Sequence, residues 1–366
     1  MPVCVNPNNS TCCGSQRANW PCDDRATICQ DQWTRSLDIG LINNMADGAL
    51  EATERQFISL LEAASAGILI RLSLYSLPHV PRNEIGSRHI QDLYLSTEEL
   101  WGAHLDGLIT TGREPLTANL PDEPYWEDLT KVIGWARENT RSSVWSCLAA
   151  HAALFHMDGV SRVRSNEKYC GVFECAQLGE HCLTSGAQTR LRLPHSRWNG
   201  IPEEALTDCG YRVLTRANGA GVDTFVKQDK SMFVFFQGHP EYESNTLLLE
   251  YRRDVGRYLK RETEKYPSVP QGYFAPETVQ VLTLLRDEAL ASRRDELLRD
   301  VSAVLASVQI DNTWRATATR TYRNWLEYLW AQKEQRAKIE TVSSEIRDIG
   351  GLVPALATAA MAESAS

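Results

Sequence analysis

The residues best suited to chemistry in this chain are one cysteine and a His-Pro-Glu tripeptide about ninety residues later. Cys147 lies in SSVWSCLAAHAALF, and His239 and Glu241 lie in GHPEY. A thiol, an imidazole and a carboxylate supply a nucleophile, a general base and a group that orients the base. These residue types predict thiol-based acyl transfer.

The surroundings of Cys147 favour this interpretation. SSVW before it is typical of a strand, and LAAHAALFHM after it is typical of a helix. A thiol at such a turn faces a helix N-terminus, where unpaired N–H groups, including that of Leu148, can stabilise an oxyanion. The alternative is a small core residue, because free cysteine is among the most buried residue types.

His239 has a similar setting. KSMFVFFQ is a near-continuous apolar run that predicts a buried strand ending at Gly238. Pro240 restricts the backbone, so that His239 and Glu241 could project from one tight turn. Glu241 would then accept a hydrogen bond from the imidazole, set its tautomer and stabilise the imidazolium.

Composition excludes several classes of function. The chain has 366 residues and a net charge of −9, which argues against a nucleic-acid surface. It has no apolar stretch as long as a membrane span and no apolar signal-peptide core near its start. We therefore expect a cytoplasmic protein.

Half of the ten cysteines lie in a polar N-terminal tail, predicted over residues 1–35: Cys4, Cys12, Cys13, Cys22 and Cys29. They are either incidental thiols or part of a metal-binding or redox-active tail. No nearby histidine completes a familiar zinc pattern, and we expect no metal site.

Strand and helix patterns alternate after the tail. Strands are predicted at 36–44, 67–75 and 105–112, and helices at 51–65 and 125–139. This order predicts an α/β fold with a mostly parallel, doubly wound sheet in a domain spanning 36–275. Ligands bind beyond the carboxyl ends of such strands, where Asn43, Asn44, Thr111, Gly112, Cys147 and His239 fall.

The rest of the chain departs from this alternation. Residues 168–236 predict an antiparallel extension that returns to the sheet, and 276–350 predict a helical extension that packs on the domain. The aromatic stripe of Trp314, Tyr322, Trp325 and Tyr328 is typical of a core or a dimer contact. Residues 351–366 predict a disordered tail.

Several motifs follow one another along the chain: LDGLITTG, PYW before a helix, the cysteine followed by xAxxAAL, LPHSRW, and GHPEY followed by TLLLEYRRD. Together they resemble the homoserine O-succinyltransferase/O-acetyltransferase family of the class I glutamine amidotransferase-like superfamily. The resemblance covers about 37–273 and the TWR…NWLEYLW helix, and it indicates a divergent subgroup with a flavodoxin-like fold.

The resemblance implies an activity. An acyl group would pass from acetyl-CoA or succinyl-CoA to Cys147 as a thioester, and then to the hydroxyl of homoserine or a related hydroxy-amino acid, in methionine biosynthesis or a specialised pathway. His239 would be the general base and Glu241 its partner. The family's substrate-binding residues correspond to Lys168, Ser196 and Arg253, each otherwise read as a surface or structural polar residue. The resemblance further implies small-molecule substrates with the acyl-CoA as co-substrate, no separate cofactor, no nucleic-acid or membrane partner, and a homodimer.

Two positions depart from the family. A lysine pair follows the first strand in its members, whereas NNMADGALEATERQF here has none. The oxyanion would therefore rest on backbone N–H groups, with help from the Asn43 and Asn44 region. The acyl-selecting position, Gly for succinyl or Glu for acetyl in the family, aligns with Leu116, and Glu114 lies two residues earlier.

Two alternative functions stay open. A glutamine amidotransferase-like cysteine hydrolase would share the superfamily, but those enzymes place glycine on both sides of the nucleophile, whereas Ser146 and Leu148 flank Cys147. A non-catalytic binding protein on the same fold would not need Cys147 at all.

Overall fold

The computed structural model describes residues 2–6, 34–186 and 190–363. Its strands, in chain order, are β1 Val3–Asn6, β2 Ser36–Ile42, β3 Leu69–Tyr75, β4 Gly107–Thr110, β5 Ser142–Ser146, β6 Val163–Gln177, β7 Arg190–Gly200, β8 Arg212–Val213, β9 Thr215–Ala217, β10 Gly221–Val222, β11 Thr224–Gln228 and β12 Met232–Phe236. The helices are α1 Asp47–Ala64, α2 Glu84–Leu93, α3 Thr97–Gly102, α4 Trp126–Asn139, α5 Leu148–Asp158, α6 Glu203–Asp208, α7 Thr246–Leu259, α8 Pro276–Ala291, α9 Leu297–Ala306 and α10 Arg315–Glu363.

The central sheet has eight strands in the order β1-β3-β2-β4-β5-β12-β11-β8. The strands from β1 to β12 in this order run parallel, and β11 and β8 continue the sheet antiparallel. β4, β5 and β12 are buried along their whole length, as parallel strands covered on both faces are. The predicted fold class, a mostly parallel α/β sheet with a helical C-terminal addition, is confirmed.

The order of the strands places the candidate residues together. β2, β4, β5 and β12 are consecutive neighbours, and their carboxyl ends lead into Asn43, Thr111, Cys147 and Gly238. The four segments therefore meet at one edge of the sheet, where ligands bind in doubly wound folds.

The region predicted as one antiparallel extension is divided between two sheets. β6, β7, β9 and β10 form a separate four-stranded antiparallel sheet, in the order β10-β9-β6-β7, while β8 and β11 extend the central sheet. The YRVLTRA run contributes to both sheets, because the chain leaves β8 at Leu214 and enters β9 at Thr215. A local strand pattern does not show which sheet a strand joins.

The C-terminal helices complete two apolar clusters. Residues of α7, α8 and α9 pack around Trp314. On α10, Tyr322, Trp325 and Leu329 are buried against Phe57 and the central sheet, and Trp325 Nε1 donates to Ser142 Oγ at 2.9 Å. This aromatic stripe therefore forms core in the structure.

Both ends of the chain differ from the predicted tails. Val3–Asn6 forms β1, which pairs with β3 and buries Val3, because a short apolar strand can add to a sheet edge wherever it lies in the sequence. At the other end α10 continues to Glu363, where an alanine-rich sequence has a high helix propensity. Cys12, Cys13, Cys22 and Cys29 lie outside the described residues. None of the described helices combines the length and apolarity that crossing a bilayer requires.

Candidate active site

Cys147 is the single residue between β5 and α5. Its φ of 52° and ψ of −113° are unusual for a residue with a side chain, so the surrounding structure must hold the turn in place. One such restraint is the hydrogen bond from the Cys147 N–H to the Phe236 carbonyl at the end of β12, at 2.8 Å. The strained turn presents the thiol at the N-terminus of α5, the geometry of a nucleophile elbow.

His239 lies opposite this thiol and is held from three directions. Its backbone N–H donates to the Pro194 carbonyl at 2.8 Å, its Nδ1 lies 2.8 Å from Glu241 Oε1, and its ring stacks on Tyr242. Both His239 and Glu241 are buried. Burial lowers the pKa of His239, but the charges and hydrogen bonds of Glu241 and Cys147 outweigh burial and raise this pKa well above its ordinary value. Glu241 therefore stabilises the imidazolium that forms when His239 takes a proton.

Gly112 lies directly against the start of α5. A Cβ placed on Gly112 would lie 2.6 Å from the Leu148 nitrogen and 2.5 Å from the Ala149 nitrogen. The first N–H groups of a helix have no partner within the helix, so these two are available to an oxyanion. A side chain at position 112 would block them.

The Asn43 and Asn44 region was predicted to help stabilise the oxyanion, but the amides of both side chains bind other groups. Asn43 Nδ2 donates to Leu50 and to Tyr94 Oη, and Asn44 Nδ2 donates to the Thr111 carbonyl at 3.2 Å. The Asn44 amide holds the ends of β2 and β4 together, and both side chains are already engaged.

Lys168, Ser196 and Arg253 come from β6, β7 and α7 and meet around two carboxylates. Lys168 Nζ lies 2.9 Å from Asp254 Oδ2, and Arg253 Nη2 lies 2.8 Å from Asp254 Oδ1. Ser196 Oγ donates to Glu250. Sequence reasoning missed Glu250 and Asp254, although both lie in the EYRRD motif at the helical spacing that puts them on one face.

Tyr242 links this cluster to the base. Its ring stacks on His239 with centroids 4.3 Å apart, and its hydroxyl donates to Glu250 Oε1 at 2.7 Å. Sequence reasoning also missed Tyr242, which is the last residue of GHPEY.

Leu116 and Glu114 lie on the loop that follows Gly112. The Leu116 side chain is 51% exposed, and its N–H donates to Glu123 Oε1 at 2.8 Å. Glu114 forms an exposed ion pair with Arg257 at 3.2 Å. The structure thus places both side chains at the surface of this loop.

A second group of metal-ligand residue types lies beneath the site. One ligand atom each from Cys175, His195 and Asp223 lies within 4.8 Å of the other two, and all three residues are buried. His195 Nδ1 accepts a hydrogen bond from Arg197 Nε at 3.2 Å, and a buried guanidinium beside the group opposes a cation there. We therefore assign this group no metal.

The fold and this site together define a class: α/β enzymes that carry a cysteine nucleophile at a strand-to-helix turn, with a histidine and a carboxylate on a neighbouring strand end. Comparison with known proteins narrows the class. The homoserine O-succinyltransferase family model matches residues 22–336, so the chain belongs to that family and is an acyltransferase.

Relatives with the same family name match most of the chain. A homoserine O-succinyltransferase of Rhodopseudomonas palustris is 44% identical over 80% of this chain and 88% of its own length. One from Bradyrhizobium japonicum is 43% identical over 80% of this chain and 90% of its own. Among solved structures, a glutamine amidotransferase from Methylobacillus flagellatus aligns with a TM-score of 0.45 and 16% identity, over 81% of this chain and 95% of its own.

Proposed function

We propose that this protein transfers an acyl group from acyl-CoA to the hydroxyl of homoserine through a thioester on Cys147. The observation that carries the proposal is the strained Cys147 turn at the start of α5, with its side chain close enough to the buried His239–Glu241 pair to act on the pKa of His239. The names of the relatives support homoserine as acceptor and succinyl as donor.

The transfer has two steps that use the same residues. In the first, Cys147 sulfur attacks the thioester carbonyl, its proton moves to His239, and His239 returns a proton to the departing CoA sulfur. In the second, neutral His239 takes the proton of the homoserine hydroxyl, whose oxygen attacks the acyl-enzyme and releases Cys147. The Leu148 and Ala149 N–H groups stabilise the oxyanion in both steps.

The cluster on α7 suits an amino-acid acceptor. Arg253 and Lys168 offer cationic donors for the α-carboxylate, and Glu250 and Asp254 offer acceptors for the α-ammonium group. Each group is paired within the cluster in the absence of substrate, so the acceptor exchanges partners rather than filling an empty charged site.

The test is formation of the acyl-enzyme. The protein is mixed with succinyl-CoA or acetyl-CoA without acceptor, and the intact mass is measured after acid quench. We expect one acyl group on the wild type, none on Cys147→Ala, and full labelling of Cys182→Ala, which removes an exposed thiol elsewhere. Homoserine should then discharge the label.

Two results would contradict the proposal. One is turnover with homoserine by Cys147→Ala at the wild-type rate. The other is failure of both donors to label the wild type while glutamine releases ammonia, which would identify a glutaminase.

A further inference from the structure

Two arginines near the nucleophile have no role in the proposed steps. Arg113 follows Gly112, and Arg162 lies just after α5. Arg162 Nη2 donates to the Ala118 carbonyl at 3.2 Å, and Arg113 Nε donates to the Glu114 carbonyl at 3.4 Å. The Nη1 atom of each arginine is buried and has no hydrogen-bond partner among the described residues.

The charges of both arginines act on one residue, Tyr125. Burial raises the pKa of Tyr125, the charge of Glu123 raises it further, and the charges of Arg113 and Arg162 oppose that rise. Tyr125 and Glu123 line a small cavity together with Gly112 and Leu148, at the start of the nucleophile helix. Both guanidinium groups therefore act at the edge of the site.

The charge of the nucleophile also acts on Arg162. Burial lowers its pKa, while negative charges on Glu123 and Cys147 act to raise it. A group that responds to charge on Cys147 is close enough to respond to charge on an acyl group attached there.

The nearby carboxylate is already engaged by the loop. Glu123 is buried, and its Oε1 accepts hydrogen bonds from Leu116 N at 2.8 Å and from Thr117 N and Oγ1, both at 3.0 Å. These bonds fix the loop that carries Arg113. Neither Arg113 nor Arg162 forms a salt bridge among the described residues, so the buried Nη1 atom of each keeps N–H donors for a ligand.

We propose that Arg113 and Arg162 bind the distal carboxylate of a dicarboxylic acyl group on Cys147, so that the enzyme prefers succinyl-CoA to acetyl-CoA. This inference rests on the thioester proposed above. A succinyl group carries its carboxylate three C–C bonds, about 4 Å, from the thioester carbonyl carbon. Unpaired guanidinium N–H atoms match a carboxylate in shape and charge, and an acetyl group offers them nothing.

The same geometry gives Leu116 an indirect part in donor selection. Its side chain is largely outside the site, but its N–H and those of its neighbours bind Glu123. The loop backbone therefore positions Arg113, and the two arginines distinguish succinyl-CoA from acetyl-CoA.

The experiment measures kcat/KM for succinyl-CoA and for acetyl-CoA with homoserine as acceptor. We expect the wild type to prefer succinyl-CoA and the ratio of the two values to fall about tenfold to hundredfold in Arg162→Gln, since a hydrogen bond to a charged group contributes that much. Arg113→Gln should lower the ratio in the same direction. Arg162→Lys keeps the charge without the planar fork and should give an intermediate ratio.

Arg164→Gln is the matched control. Arg164 lies two residues along the chain, exposed, with its guanidinium over the Trp198 ring at 4.8 Å, and its removal should leave the ratio unchanged. An equal loss for both donors in Arg162→Gln, or a wild type that prefers acetyl-CoA, would overturn the inference while the thioester proposal stands. Absence of an acyl-enzyme with either donor would instead overturn the thioester proposal itself.

Discussion

Cys147, His239 and Glu241 form one set of thiol, imidazole and carboxylate, and Cys175, His195 and Asp223 form a second set directly beneath it. A Cβ placed on Gly238, next to His239, would lie 2.8 Å from Asp223 Oδ1. Two sets of the same residue types thus lie next to each other in the fold. Their environments differ in the backbone of the cysteine, the charge of the histidine and the hydrogen bonds of the carboxylate.

The first difference is the backbone. Cys147 lies at a strained turn before a helix, whereas Cys175 lies inside the regular strand β6. Burial raises the pKa of the Cys175 thiol well above its ordinary range, and no helix N-terminus offsets this effect. Cys175 is therefore a neutral core thiol.

The second difference is the charge of the histidine, and the third is the set of hydrogen bonds that the carboxylate accepts. Burial lowers the pKa of His195, and its Nδ1 is occupied by Arg197, so His195 stays neutral. Asp223 is used by its neighbours, accepting from Thr215 Oγ1 and Thr224 Oγ1 at 2.7 Å each. In the first set, the pKa of His239 is raised instead. Residue types alone do not make a catalytic set; a strained turn, a helix start and an imidazolium do.

Removing each of the two thiols in turn should give the largest difference in activity between two variants. We expect Cys147→Ala to reduce homoserine acylation by at least about 10³-fold, because removal of a nucleophile abolishes the covalent route. Cys175→Ala should retain activity, with a small loss of thermal stability. Steady-state rates and melting curves of both variants check this, and comparable losses of rate in the two would contradict the assignment.

Closing the helix start should be the next largest effect. Gly112→Ala places a methyl group against the Leu148 and Ala149 nitrogens, and we expect kcat to fall about 100-fold or more, as for loss of an oxyanion donor. Gly134→Ala is the control, since its Cβ would meet no atom within 4 Å in α4. An active Gly112→Ala enzyme would show that the oxyanion lies elsewhere.

Glu241 and Asp223 should differ in their effect on the pH profile of kcat/KM. Burial lowers the pKa of His239, and Glu241 is among the groups that raise it above its ordinary value. Glu241→Gln removes that charge, so His239 loses its proton at a lower pH. The alkaline limit of kcat/KM, where the imidazolium that protonates the CoA sulfur is lost, should move to lower pH.

Asp223→Asn should leave that limit in place and instead destabilise the fold. Burial raises the pKa of Asp223, but His195, whose Nε2 lies 3.2 Å from Asp223 Oδ1, and hydrogen bonds from Thr215 and Thr224 outweigh burial and lower this pKa. Its charge therefore contributes stability above the ordinary pKa of an aspartate, and this stability is lost as pH falls through the folded-state pKa. Measured pH profiles and denaturation curves separate the roles, and equal shifts of the alkaline limit in both variants would refute the distinction.

Local patterns predicted much of the fold and part of the site. The SSVW stretch before Cys147 predicted a short strand and the apolar run before His239 predicted a buried one, and the structure confirms them as neighbours β5 and β12. The same patterns failed for YRVLTRA, which contributes to two sheets, because sheet membership depends on distant partners. Glu250, Tyr242 and Arg162 were missed for a similar reason: a polar side chain on a helix or loop reads as surface until its partner is known.

The sequence by itself determined the residue types of the nucleophile and base, the strands that end at them, and the family. Strand runs and helix starts are short-range properties, so they can be read along the chain. Only the tertiary structure decided that Cys147 lies beside a histidine of raised pKa and Cys175 beside one of lowered pKa. It also decided that Gly112 packs against the helix start, and that the Nη1 atoms of two nearby arginines have no hydrogen-bond partner among the described residues. Each of these depends on groups far apart in sequence, whose burial and charge are fixed only when the chain brings them together.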